Sequence, residues 1–266
     1  VSLTSDTTPL LCVRDLRVRF PRRGGGWFDA VRGVSFDLER GTTLGLVGES
    51  GSGKTTTGRA ALRLIEASGG DVTLGGMDVL GARGEALRRL RRRAQIVFQD
   101  PGGSMNPRQR VWQIVSEPLL VQGVARRRAE RRRRAGELLE RCGMGADALD
   151  RRPHEFSGGQ RQRIVIARAL ALEPELVVCD EPTSALDVSV QAQILNLLRD
   201  LQHERGLAYL FISHDMGVVR HMCDRIAVMK DGAIVEQGEA TRIVEAPEEA
   251  YTKRLLASVP RLRPGA

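Results

Sequence analysis

Two stretches of this chain hold residue types that do chemistry at a fixed spacing. Gly48-Glu49-Ser50-Gly51-Ser52-Gly53-Lys54-Thr55 fits the pattern G-x-x-x-x-G-K-[ST]. Backbone N–H groups in such a loop wrap phosphate oxygens, the lysine reaches the β- and γ-phosphates of a nucleotide, and the threonine hydroxyl can ligate Mg²⁺. The second stretch, Glu175-Leu-Val-Val-Cys-Asp180-Glu181, is an apolar run that ends in two carboxylates. A buried strand needs no acids at its tip for stability, whereas magnesium chemistry does. Asp180 suits a magnesium ion held through water, and Glu181 suits the orientation or deprotonation of an attacking water. Without the glycine loop upstream, the same acids would read as a solvated strand end leading into Pro182.

The surrounding residues predict elements that can hold these groups in place. Thr42–Val47 is a short apolar run with β-type residues, and the helical pattern from Thr56 to Ile65 follows the glycines. That order puts a helix N-terminus, with its N–H groups and dipole, against an anion. Ala208–Ser213 is another apolar strand, closed by His214, and Ile96-Val-Phe leads into Gln99. Leu11 to Phe20 alternates as a strand, and Gly69–Gly76 reads as turn, short strand and turn. From about 100 to 156 the pattern turns helical, most clearly over Val111–Glu117 and Ala129–Cys142. The tail from Glu239 carries Pro247, Pro260 and Pro264, with a helical piece around Ala250–Ser258. Helical patterns alternating with short apolar strands predict an α/β fold with a mostly parallel sheet.

Composition narrows the class further. A chain of 266 residues is long enough for one large domain with a subdomain. Apolar runs such as Ile164–Ala167 fall far short of the ~20 residues a membrane span needs, and residues 1–20 lack the apolar core of a signal peptide. These features predict a soluble protein that stays in the cytoplasm. Cys12, Cys142, Cys179 and Cys223 are scattered, so a metal site is not expected, and Cys179 reads as a small core residue. Of the 41 basic residues only Lys54, Lys230 and Lys253 are lysines, and the net charge is +8. The densest arginine runs, Arg88–Arg93 and Arg126–Arg134, lie near Glu130, Glu137 and Glu140 at helical offsets, as on a solvated helix face. Attraction to anionic lipid is the next reading. No aromatic residues interleave with the arginines, which argues against a nucleic-acid surface.

A third string identifies the family. Phe156-Ser157-Gly158-Gly159-Gln160, followed by Arg161-Gln-Arg163, resembles the signature of ATP-binding-cassette (ABC) ATPases. The resemblance implies a P-loop NTPase (RecA-like) core with a β-rich flank and an inserted α-helical subdomain. Residues 1–266 would be a single ABC ATPase domain, with 11–98 and 157–238 as the nucleotide-binding core. In that scheme 100–156 form the helical subdomain and 239–266 the C-terminal tail. ATP and Mg²⁺ are the implied ligands, with Gly48 to Thr56 on the nucleotide and Thr55, Gln99 and Asp180 on the metal. Gln99 matches the Q-loop glutamine, Ser184 and Asp187 the D-loop, and His214 the switch histidine that contacts the γ-phosphate. His154, His203 and His221 match nothing and are read as incidental. Phe20 matches the aromatic platform for adenine, with Trp27 and Phe28 as rivals. Ser157, Gly158, Gly159 and Gln160 would cover the ATP of a facing subunit.

The resemblance narrows along the rest of the chain. Phe98-Gln99-Asp100-Pro101-Gly-Gly-Ser104-Met105-Asn106-Pro107-Arg108 and the tail Ala246 to Pro260 are similar to ATPase subunits of dipeptide and oligopeptide importers. Phe156 and Met105 stand where leucine is usual, and both swaps stay apolar. Some members carry a C-terminal cysteine cluster for an iron–sulfur centre, but here no cysteine follows Cys223, so none is expected. Importers of nickel or other small solutes, exporters, and non-transport ABC ATPases of DNA repair or translation are the alternatives. The implied partners are a second cassette (identical or paralogous), two membrane permeases and, indirectly, an extracytoplasmic binding protein, with no nucleic acid. The implied location is the cytoplasmic face of the cell membrane. Pro101–Trp112 is expected to receive a permease helix, with Met105, Val111 and Trp112 as apolar anchors.

Overall fold

The computed structural model describes residues 8–22 and 24–257. The chain divides into two compact units, one holding residues up to Ala82 and from Ala208 onward, the other Arg83–Leu207. The chain begins in the first unit, passes into the second and returns.

The first passage gives β1 (Leu11–Pro21), β2 (Trp27–Leu38), β3 (Thr43–Val47), α1 (Lys54–Ala61), β4 (Gly69–Leu74) and β5 (Met77–Asp78). Strands β2, β1, β4 and β5 form an antiparallel sheet in that order. This is the β-rich flank that the family resemblance implied. Helix α1 differs from its expected span, beginning at Lys54 and stopping at Ala61. Gly53 in a left-handed conformation starts it, and Arg63 at φ 52° ends it. There the N–H groups of Arg63 and Leu64 return to the carbonyls of Ala60 and Arg59, as at a left-handed helix end.

The second unit holds α2 (Gly84–Arg93), β6 (Ala94–Val97), α3 (Pro101–Ser104), α4 (Val111–Val121) and α5 (Arg128–Arg141). Two 3₁₀ turns, Ala146–Asp150 and Pro153–Glu155, lead into α6 (Gly158–Leu170), β7 (Leu176–Asp180) and α7 (Val188–Arg205). Strands β6 and β7 pair in parallel, from Ala94 opposite Leu176 to Val97 opposite Cys179. The bidentate pair of Arg93 with Glu175 closes their starting ends. Helix α4 runs past Glu117 and keeps Pro118 inside it, because Leu119 beyond the proline is buried and holds the last turn in place. The helical stretch expected at 100–156 lies wholly in this unit, together with β6, β7 and α7.

Back in the first unit come β8 (Ala208–Ser213), α8 (Met216–Met222), β9 (Arg225–Lys230), β10 (Ala233–Glu239), α9 (Ala240–Glu245) and α10 (Ala250–Ala257). Strand β3 lies between β8 and β9, parallel to both, and β10 pairs antiparallel on the outer side of β9. Every residue of β3 and β8 is buried, as is every residue of β7 in the other unit. Parallel strands covered on both faces read as continuous apolar runs, and the α/β class follows. Pro260 and Pro264 of the tail lie outside the described residues.

Candidate functional site

In the first unit, chemistry collects at the carboxyl ends of parallel strands, where open α/β sheets bind ligands. Val47 at the end of β3 is in register with Ser213 of β8 and Val228 of β9. The glycine loop therefore leaves the sheet beside His214 on one side and Met229 on the other. Gly48 has φ 151°, and a Cβ there would lie 2.2 Å from the Met229 carbonyl oxygen, so only glycine fits. The loop then closes around its own lysine. Lys54, only 4% exposed, donates from Nζ to the carbonyls of Gly48 and Glu49 at 2.8 Å each, and to Ser52 Oγ at 3.4 Å. From outside, the Gly232 N–H donates to the Ser52 carbonyl at 3.0 Å.

The loop fits a polyphosphate. Helix α1 starts with no side-chain cap, so an anion is the natural partner for its N-terminus. The buried ammonium of Lys54 adds the positive charge a phosphate needs. Glu49, Ser50 and Gly51 are exposed, Ser52 is buried, and Gly53, Thr55 and Thr56 are partly buried. His214 stands exposed on a tight corner. Asp215, next to it, donates its N–H to Ser213 Oγ at 3.0 Å and caps α8 by accepting from Gly217 N–H at 2.8 Å and Val218 N–H at 3.3 Å.

The second unit repeats the logic on its own strand ends. Gln99 lies two residues past Val97, and Glu181 two past Cys179, so the parallel register sets them side by side. Gln99 Nε2 donates to Glu181 Oε2 at 3.1 Å. Glu181 is held at φ 48°, a conformation uncommon for a residue with a side chain and often found at functional sites. Asp180 before it is 1% exposed. Within this unit Gln99 and Asp180 carry amide and carboxylate oxygens, the hard donors magnesium prefers, and Thr55 in the first unit carries a hydroxyl oxygen of the same kind. Among the described residues no three His, Cys, Asp or Glu side chains gather into a metal-binding group.

The Ser157 string begins α6. Ser157 Oγ accepts from Gln160 N–H at 3.3 Å, and Gln160 Oε1 accepts from Ser157 N–H at 3.0 Å, a reciprocal capping box. Ser157, Gly158 and Gln160 are exposed. Gly159 is buried, and a Cβ there would lie 2.3 Å from Val190 Cγ1 of α7, so its small size lets the two helices approach. In the turn before α7, Ser184 Oγ donates to the Glu181 carbonyl at 3.2 Å, and Asp187 Oδ1 accepts from Val190 N–H at 2.9 Å as the helix cap. A Cβ on Gly158 would lie 3.3 Å from Leu186 Cδ2, so the start of α6 and the turn before α7 pack against one another.

Phe20 lies on the β1–β2 hairpin, directly across from Phe28, while Trp27 faces Pro21. All three aromatics are exposed, and the guanidinium carbons of Arg19 and Arg22 lie 4.7 and 5.7 Å from the ring centroids of Trp27 and Phe28. Phe20 and its rival Phe28 are cross-strand neighbours on one face.

One expectation is corrected. Met105, Val111 and Trp112 are buried, and the Trp112 ring is covered by Arg128 and Arg131 at 5.3 and 5.5 Å. Apolar residues at the start of a short helix suit a core as well as an interface, and here α4 packs against α5 and α6. The exposed residues of that stretch are polar or small, notably Asn106, Pro107 and Arg108. The arginine runs meet acids on helix faces. Arg134 pairs with Glu130 at 2.8 Å, Arg133 with Glu137, and Arg88 with Glu85 at 3.8 Å. Arg132, joined by Arg110, pulls the Asp150 carboxyl down to about 2. Burial pushes the Cys142 thiol up to about 12 and raises Cys179 as well, so both are inert core residues.

Residue-by-residue reading overlooked Tyr251. Its hydroxyl accepts the Glu49 N–H at 3.1 Å from 202 residues away, and no local pattern in the tail announces that contact.

Comparison with known proteins gives one consistent picture. A family model described as ABC transporter matches residues 31–184. The glutathione import ATP-binding protein of Pectobacterium atrosepticum is 52% identical over 258 residues, and the match takes in 95% of this chain but only 41% of that protein. The oligopeptide transport ATP-binding protein of Bacillus subtilis is 49% identical, with 96% of this chain and 83% of that protein matched. A putative peptide import ATP-binding protein of Brucella ovis is also 49% identical, over 97% of this chain and 81% of its own length. Among solved structures, a dimeric ATP-binding cassette in a post-hydrolysis state bound to ADP and Pi superimposes with TM-score 0.78 at 29% identity, covering 86% of this chain and 98% of the other. A cassette from Clostridium perfringens, part of the ABC transporter complex cbiONQ, gives TM-score 0.76 at 29% identity, covering 88% of this chain and 90% of the other.

Proposed function

The chain belongs to the ABC transporter family, and from that premise we propose that it is the ATP-hydrolysing, energy-coupling subunit of an importer for dipeptides or oligopeptides. The observation that carries the engine is the glycine loop wrapped around buried Lys54 at the start of an uncapped helix. The peptide class rests on the relatives named for peptide, oligopeptide and glutathione import.

In this reading Lys54 turns from the loop carbonyls to the β- and γ-phosphates, while the loop and the first turn of α1 present N–H groups to the same anion. Thr55, Gln99 and Asp180 each carry an oxygen that would serve a magnesium ion, and such an ion would supply charge neutralisation on the phosphate oxygens. Glu181 orients the attacking water and takes its proton, and Gln99 steadies the Glu181 carboxylate. His214 contacts the γ-phosphate, and Phe20 stacks on the adenine. Ser157, Gly158, Gly159 and Gln160 serve the nucleotide of a facing cassette, with the α6 N-terminus directed at its γ-phosphate. The D-loop residues Ser184 and Asp187 join the same dimer face. Two bound nucleotides hold two cassettes together, and hydrolysis lets them part, a two-state cycle that moves attached membrane subunits.

Residues 1–266 act as one cassette in this scheme, with the helical stretch 100–156 meeting two permeases at the cytoplasmic face of the membrane. No helix among the described residues is long and apolar enough to cross a membrane. An extracytoplasmic binding protein selects the substrate. The reading is tested by purifying the protein with its permeases and binding protein in vesicles, then following phosphate release and solute uptake together. Magnesium-dependent ATP hydrolysis coupled to uptake of small peptides is expected. Hydrolysis coupled only to another solute overturns the peptide class, and absence of hydrolysis overturns the engine.

A further inference from the structure

We propose that Tyr251 is a positioning residue for the phosphate loop, holding it from its outer side while a nucleotide occupies the inner side. This rests on the reading that the loop takes nucleotide phosphates.

Tyr251 lies in the first turn of α10 and is 7% exposed. Its hydroxyl accepts the Glu49 N–H at 3.1 Å. The Lys230 ammonium lies 5.4 Å from the ring centroid, and Lys230 follows Met229, the residue whose carbonyl crowds Gly48. Ring, strand end and loop therefore form one packed corner.

The helix that carries Tyr251 is tied down at its start. The nearly buried carboxylate of Glu236, on β10, accepts from Glu248 N–H at 2.9 Å and Glu249 N–H at 3.2 Å. Arg242 bridges Glu236 at 3.7 Å and Glu248 at 2.9 Å. Tyr251 thus stands on an anchored element, two residues past the last of these contacts.

The physical role follows from which hydrogen bonds survive ligand entry. Lys54 holds the loop from within, through the carbonyls of Gly48 and Glu49. Phosphate oxygens compete for that same ammonium, so the inner hold weakens as nucleotide arrives. The Tyr251 hydroxyl on the Glu49 N–H and the Gly232 N–H on the Ser52 carbonyl act from outside and do not compete with the ligand. A loop already held in shape loses less conformational freedom on binding, which appears as affinity. Tyr251 touches no reacting atom, so the chemical step is left unchanged.

The test is Tyr251→Phe, which keeps the ring and its packing and removes only the hydroxyl. Equilibrium titration with a fluorescent ADP analogue should show affinity weakened about 3- to 10-fold, the scale of one lost neutral hydrogen bond. KM for ATP should rise in step, with kcat within about twofold and the melting temperature lowered by no more than about 2–4 °C, the cost of one hydrogen bond. Hydrogen exchange at the Glu49 amide should quicken while that of β3 stays the same. Lys253→Ala, an exposed position on the same helix, should leave affinity unchanged. Wild-type affinity in Tyr251→Phe, a loss that accompanies a fall in melting temperature of more than about 4 °C, or an equal loss in Lys253→Ala would each overturn the proposal. If the wild-type protein binds no nucleotide, the functional reading itself fails, which is a separable result.

Discussion

Gln99 and Glu181, 82 residues apart, meet at the carboxyl ends of adjacent parallel strands, with Nε2 donating to Oε2 at 3.1 Å. An amide that donates to a carboxylate turns its own oxygen the other way, so Gln99 can serve a metal with one end and steady the base with the other. The same bond fixes the Glu181 side chain on a backbone already held at φ 48°.

Glu181→Gln removes the charge proposed to orient and deprotonate water but leaves the phosphate loop intact. ATP affinity should stay within about threefold of wild type while turnover falls by a factor of about 100 or more, the range for loss of a general base. The variant should accumulate as an ATP-bound cassette dimer, read by size-exclusion chromatography with phosphate-release assays alongside. Phosphate release at the wild-type rate would remove Glu181 from this role.

Lys54→Ala acts at an earlier step. It strips both the phosphate partner and the inner hold on the Gly48 and Glu49 carbonyls. Nucleotide affinity should drop by about tenfold or more, since hydrogen bonds to charged groups are the strong ones. Unchanged affinity in a direct titration would refute the phosphate-loop assignment.

On the proposed arrangement, in which Ser157 and its neighbours serve the nucleotide of a facing subunit, Ser157→Arg should bind ATP as a monomer and fail to dimerise. The structure adds a cost: Ser157 caps α6, so its loss removes about 1 kcal/mol and lowers the melting temperature by about 2–4 °C. Ser157→Asn, which keeps a capping side chain, separates the two effects. Normal ATP-driven dimerisation of a folded Ser157→Arg protein would count against the facing arrangement.

With Met105, Val111 and Trp112 buried, the proposed contact with a permease in this stretch has to use exposed residues. Arg108, whose N–H donates to Asn106 Oδ1 at 3.0 Å, is the charged group of that turn. Arg108→Glu should reduce uptake in the assembled transporter about tenfold while hydrolysis by the isolated subunit changes less than about twofold, as when a charge pair at an interface is reversed. Equal losses in both assays would place the coupling surface elsewhere.

Glu236 links acid stability to the anchored tail. Burial opposes its ionisation, but the N–H groups of Glu248 and Glu249 and the Arg242 charge outweigh it and hold its carboxyl below the ordinary value of 4.5. A carboxyl lowered in the folded state stabilises the protein above that value, and the contribution fades as the pH falls through the folded pKa. Glu236→Gln should therefore melt lower than wild type near neutral pH, with the gap closing below about pH 4. Melting curves across that range decide it, and a gap that stays constant would contradict the linkage.

Much of this site is legible in the chain itself because each piece of chemistry needs contiguous residues. A loop that wraps phosphate must carry its glycines, lysine and threonine together, and a strand that delivers acids must end in them. The buried runs of β3, β7 and β8 are visible for the same local reason: strands covered on both faces are apolar throughout. Helix ends proved harder to read, as α1 shows, because a left-handed Arg63 that stops the helix has no signature in residue type. Trp112 was ambiguous because an apolar side chain at a helix start suits either a core or a partner, and only the packing of α4 chose the core. Tertiary structure alone decided the long-range pairs. The parallel register of Val97 with Cys179 brings Gln99 to Glu181, and the return of the chain through β10 and α10 brings Tyr251 to Glu49. Neither pair leaves a trace in local sequence, since hydrogen bonds between distant segments are set by how strands align and where a helix is anchored.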